Sequence, residues 1–182
     1  MIISKKHIII IAILVFNSLL NAQNRNKMEM LKDLIGRYSV TTLDFVDNNW
    51  IKGNTTFSII DEVHEGAFLK EEVKYKTSNL EINMLTFIGF DNRISKYKLC
   101  AMDKEFRSMD VYQGEFNDEN LIFTNLKSDA PFMFGENIAL HFRLTYTFTD
   151  NGFIHLVEGT KDFGESWFSF SKSIYNKQSH KN

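Results

Sequence analysis

From Ile138 to Glu158 the pattern of side chains leaves room for little other than a β-hairpin. Ile138, Leu140, Phe142, Leu144, Tyr146 and Phe148 alternate with Ala139, His141, Arg143, Thr145, Thr147 and Thr149. Successive strand side chains point to opposite sides, so a period of two makes one face apolar and the other largely polar. Asn151-Gly152 then supplies the positive φ values of a type I′ turn, and a second strand returns. With those two residues as the loop, Phe153 faces Asp150, His155 faces Phe148 and Val157 faces Tyr146. His155 therefore joins Tyr146 and Phe148 on the apolar face, while His141 and Arg143 point the other way.

Similar stretches fill most of the chain. Strands are expected over 38–45, 50–60, 67–77, 80–90, 94–102, 106–114, 121–125 and 166–175, besides the two of the hairpin. Asp47-Asn48-Asn49, His64-Glu65-Gly66, Ser78-Asn79, Asp91-Asn92, Asp103-Lys104 and Asn117-Asp118-Glu119 mark the turns, and Gly53 marks a bulge or bend. About ten strands at a spacing of ~8–12 residues read as an all-β sandwich or barrel. The short connections pair sequence neighbours antiparallel, and a meander of that size leaves bare edges unless it closes. The expected fold is an antiparallel up-and-down barrel of about ten strands. Met28, Leu31, Leu34 and Ile35 fall at helical spacing and predict a short amphipathic helix ending at Gly36, placed to cap the barrel.

Turn arithmetic extends the register. Two-residue turns at Asp91-Asn92 and Asp103-Lys104 set Met84 against Leu99, Thr86 against Tyr97, Leu99 against Ser108 and Tyr97 against Asp110. Lys70, Glu72, Lys74 and Lys76 share a solvated face, and Leu69, Glu71, Val73 and Tyr75 the opposite one. The inferred interior is apolar with Glu71, Asp110, His155 and the hydroxyls of Tyr75, Tyr97 and Tyr146 set into it. A charged group in an apolar interior costs several kcal/mol (~2–7 even for a neutral polar group) unless it is paired or hydrated. These six residues are the candidate ligand-binding set, with a structural hydrogen-bond network as the plainer account of the same residues.

Composition narrows the function classes. Lys5-Lys6-His7, the uncharged run Ile8 to Phe16 and a small residue at Ala22 read as a signal peptide over 1–22, so the expected protein is exported, periplasmic or extracellular. The apolar run is about half of the ~20 residues a membrane span needs, so no stable span is expected after cleavage. Removing 1–22 takes away two of the 21 basic residues and none of the 23 acidic ones, moving the net charge from −2 to −4. That balance argues against a nucleic-acid surface. The domain is expected over 23–177, with a frayed tail at 178–182. A single cysteine, Cys100, forms no internal disulfide and is expected to be buried and inert.

No Gly-x-Ser-x-Gly elbow, His-Glu-x-x-His, Cys-x-x-Cys or phosphate-binding glycine loop is present, and no catalytic residue is assigned. His141 and His155 lie on opposite faces and His64 in a turn, whereas a structural zinc site wants about four convergent ligands, so neither metal nor cofactor is expected. Leu126 to Gly135, the longest connection, carries Pro131, Phe132, Met133 and Phe134, which lid the barrel mouth, form a membrane-touching tip or tuck into the end of the core. Arg143, Thr145, Glu158 and Thr160 are expected as a solvated cross-strand cluster.

Leu34-Ile-Gly-Arg-Tyr38 before a strand, Gly66-Ala-Phe-Leu-Lys-Glu71, Ile88-Gly-Phe-Asp91 with Tyr97, Gly114-Glu-Phe-Asn-Asp118 and the closing strand Lys172 to Lys177 occur in an order that resembles domain-of-unknown-function family 1579 of the calycin superfamily. The resemblance covers roughly residues 30–177. It implies a lipocalin-like barrel, most often exported, with no established reaction and no catalytic residues to carry over. Three functions follow as expectations: a barrel holding a small hydrophobic molecule or lipid, an interaction protein with a filled core, or an enzyme using Glu71, Asp110 or His155.

Overall fold

The computed structural model describes residues 27–76, 81–134 and 138–178, without the side chains of Lys76 and Phe134. The expected signal peptide, the expected Ser78-Asn79 turn, the Phe134 side chain and the tail past 178 lie outside those residues.

The strands are β1 (Gly36–Val46), β2 (Asn49–Val63), β3 (Phe68–Lys76), β4 (Glu81–Asp91), β5 (Lys96–Asp103), β6 (Ser108–Asn117), β7 (Asn120–Thr124), β8 (Phe132–Phe134), β9 (Ile138–Thr149), β10 (Gly152–Thr160) and β11 (Phe168–Lys177). β1 to β7 pair in sequence order, β7 pairs with β9, β9 with β10, β10 with β11, and β11 returns to β1. Ten strands thus close an up-and-down antiparallel barrel, as alternation and short turns predict. The three-residue β8 stands outside the ring, on β9 at Ile138–Leu140.

The register corrects the turns while keeping the faces. The last hairpin closes at Gly152↔Thr149, so its loop is Asp150-Asn151, and His155 sits opposite Tyr146 rather than Phe148. β4 and β5 close at Asp91↔Lys96, setting Met84 against Asp103 and Thr86 against Ala101. β5 and β6 close at Asp103↔Ser108, setting Leu99 against Tyr112 and Tyr97 against Gly114. Both loops hold four residues rather than two, and each ends on a left-handed residue, Ser95 (φ 53°) or Arg107 (φ 53°). Every slip is an even number, so each side chain keeps its side of the sheet. Gly53 does mark a bulge, since the β1–β2 register shifts between Thr41 and Leu43.

Met28, Leu31 and Leu34 recur every third residue, and the segment follows that period. Leu31 N donates to Met28 O, Leu34 N to Leu31 O and Ile35 N to Lys32 O, at 2.9–3.0 Å. After one helical turn at 27–29 the chain is 3₁₀ over Lys32–Leu34. Residues three apart eclipse in that geometry, so Leu31 and Leu34 both enter the barrel and are fully buried. Under them lies an aromatic cluster. Tyr38 meets Phe153 edge-on at 5.2 Å, and Phe153 stacks on Tyr175 at 4.2 Å. Tyr38 Oη donates to Leu34 O at 2.9 Å, tying the helical cap to the first strand. This end of the barrel is solid.

Candidate functional site

The opposite end is hollow. A cavity of about 550 Å³ lies between the walls of the barrel and is lined on that side by Phe106, Phe132, Met133 and Phe170. Its wall is built by two rows of paired residues. Glu71, Thr86, Ala101 and Asp110 are successive partners across β3, β4, β5 and β6. Thr42, Ser173, His155 and Tyr146 are successive partners across β1, β11, β10 and β9. All eight line the cavity. Alternation alone puts a polar row on the inner face wherever inward positions of neighbouring strands coincide in register.

Glu71 is buried, and Ser58 Oγ donates to its Oε1 at 2.6 Å. Burial pushes its carboxyl above the ordinary range, opposed by hydrogen bonds from Ser58 and Tyr175. The Tyr175 hydroxyl also meets that of Tyr75 at 2.6 Å. Burial together with the Glu71 carboxylate drives the Tyr75 phenol up and Tyr146 far up, so both stay protonated donors.

His155 stacks on Tyr146 with centroids 4.5 Å apart. Burial brings its pKa down to about 4, leaving a neutral imidazole at neutral pH, and its Nε2 is buried without a hydrogen-bond partner. Thr42 Oγ1 is likewise buried and unpartnered. Asp110 is half-buried, and its carboxyl is pushed up by burial and by Asp103. Asp103 Oδ1 accepts from the backbone N of Glu105 and Phe106 at 2.8 and 3.0 Å, holding the β5–β6 loop.

Of the six candidates, Glu71, Tyr75, Asp110, Tyr146 and His155 line this one cavity. Tyr97 does not. It sits at the solid end, where its hydroxyl donates to Lys27 O at 3.0 Å and helps hold the helical cap. Alternation also carried Thr42 and Tyr112 inward, although a search confined to charges and the hairpin passes over them. Phe106, Phe132 and Phe170 come from loops and strand ends, where no period marks them.

Cys100, His141 and the Arg143 cluster all lie on the outer face. Cys100 is half-buried on the outside, because Leu99 and Ala101 beside it point inward. Burial and Asp110 raise its thiol pKa, so it stays a thiol. His141 points outward but is covered, with Nδ1 donating to Asn125 O at 3.1 Å and Phe163 against its ring at 5.2 Å. The Arg143 cluster is not solvated: the guanidinium bonds Glu158 at 2.8 Å and lies 4.4 Å from the Trp167 ring, and Thr160 is fully buried. The β10–β11 loop covers it, held by Asp162, which accepts from Thr160 and Ser166. Of the Pro131 segment, Phe132 packs on Phe106 and Phe142 at 5.6 and 5.9 Å, at the mouth.

Among the described residues no three His, Cys, Asp or Glu side chains converge on a metal position. No hydrogen bond joins His155 to Glu71 or Asp110, so these residues do not form an acid–base pair as they stand. Residues 23–177 match the family model described as "Protein of unknown function (DUF1579)". No curated protein matches the chain.

Proposed function

The chain belongs to the DUF1579 family, and we propose that it works as a binding module, an exported barrel that holds a small hydrophobic or amphipathic molecule in its interior. One observation carries this reading. The cavity of about 550 Å³ is walled mainly by apolar and aromatic side chains, with polar groups aimed into it. That volume falls in the ~300–1,000 Å³ range of small-molecule pockets, which are largely apolar with a few placed polar groups. Packed interiors rarely keep voids of such size, and buried polar atoms rarely go without partners, as Thr42 Oγ1 and His155 Nε2 do here. Export rests on the basic and then apolar stretch from Lys5 to Ala22.

Native mass spectrometry of the protein purified from its own host tests both parts. The expected spectrum is a chain shortened near Gln23 carrying a noncovalent adduct that collisional activation removes. The neutral dye N-phenyl-1-naphthylamine should also brighten on binding and be displaced by the extracted adduct. A protein without an adduct that also leaves the dye dark would end the ligand-binding reading.

A further inference from the structure

The charge on the cavity wall has one sign. Among the described residues, Asp44, Glu71, Asp103 and Asp110 line it, and no lysine or arginine does. Lys104 and Arg107, on the β5–β6 loop, are exposed and are not part of the wall. Asp110 has no hydrogen-bond or ion-pair partner among the described residues, although it faces inward beside Asp103. Aromatic rings make up much of the remaining wall, among them Phe106, Tyr112, Phe132, Phe142 and Phe170. A ring face carries negative potential and attracts a cation. Thr42, only 4% exposed, adds an unpartnered hydroxyl to the same wall.

Resting on the ligand-binding reading above, we propose that the cavity selects a small organic cation, an alkyl or aryl amine, with its ammonium beside Asp110 and Asp103. Its apolar body lies among Tyr112, Phe142, Leu144 and Val157, where the walls are apolar. A fatty-acid carboxylate of the same size meets four acidic side chains and no compensating cation, so the wall discriminates by repulsion as well as attraction. A neutral alcohol falls between the two. Water can satisfy Thr42 and His155, but it gives the cavity no preference between anion and cation; the carboxylates do that.

Isothermal titration of the full mature chain at pH 7.5 with octylamine, octanol and octanoate isolates the charge, because the apolar tail is constant. Octylamine is expected to bind about tenfold more tightly than octanol, a difference of ~1.4 kcal/mol, with octanoate weakest. In Asp110→Asn the amine-to-alcohol ratio should fall to about threefold or less, and octanoate should gain. Because Asp110 has no partner to lose, the variant should fold, and its octanol titration checks that directly. Octanoate binding as tightly as octylamine overturns the inference, as does a ratio that Asp110→Asn leaves unchanged. Either result with octanol still bound leaves the binding module standing. Failure of all three ligands overturns the inference, while the adduct and dye measurements decide the binding module separately.

Discussion

His155 is the residue whose chemistry the barrel alters most simply. Burial lowers its pKa to about 4, from an ordinary 6.5. Below pH 6.5 the unfolded chain takes up a proton there that the folded chain refuses. Stability therefore falls as pH drops from 6.5 towards 4, and is fully present above that window. His155→Phe keeps a ring to stack on Tyr146 and cannot titrate. The wild type should lose about 3 kcal/mol relative to that variant between pH 7 and pH 4, read from urea unfolding at each pH. A constant difference across the range would mean that the imidazole is hydrated. Glu71 works in the opposite direction. Its raised pKa makes the folded chain hold a proton longer than the unfolded one, so its contribution is lost as pH rises above 4.5.

Among the elements, the turns are where local chemistry and register meet. Gly152 opens β10 with φ +136°, and a Cβ there would lie 2.0 Å from the backbone oxygen of Tyr175. Neither the backbone nor the neighbouring strand can yield, so Gly152→Ala should cost about 3 kcal/mol or more in urea unfolding. Gly66 also has a positive φ, +81°, but a Cβ there meets only the flexible Glu62 side chain at 3.6 Å. Gly66→Ala should cost ~1–2 kcal/mol, the price of a left-handed alanine alone. The same turns show what can be read from residue types. Alternation fixes which side of a strand faces inward, so Glu71, Asp110, Tyr146 and His155 were legible as interior residues. It says nothing of loop length. Ser95 and Arg107 close four-residue loops in left-handed geometry without the glycine or asparagine that advertises it, and a two-residue reading misplaced every partner by an even step. Tyr97 shows the same limit: facing inward does not say which end of a barrel a residue occupies.

At the scale of the whole molecule, the barrel divides its labour between two ends. The closed end is packed with rings, and the other holds the cavity. Phe153, 1% exposed and stacked on Tyr175, should cost ~3–5 kcal/mol when cut to alanine, with little direct effect on ligand binding. Phe170, 41% exposed at the mouth, should cost under ~1 kcal/mol as Phe170→Ala while weakening dye binding. Urea unfolding and dye titration of the two variants check this crossed pattern. No residue pattern announces the cavity, because its volume depends on how ten strands curve together and on where Leu31 and Leu34 stop the other end.

The closure of the ring has a consequence in time. Nearly every strand pairs with its neighbour along the chain, and the long-range seam is β1 against β11, Tyr38 to Lys177 through Asp44 to Ser171. Gln178 N donates to Arg37 O at 2.8 Å, so the last described residue sits beside the first strand. Local hairpins can form as soon as their residues exist, but both flanks of the sheet stay open until the final strand is made. Joining such distant segments is slow because loop-closure entropy must be met first. The chain therefore spends its early life as an open curl with two bare edges, and becomes a closed barrel only when the ten residues of β11 arrive.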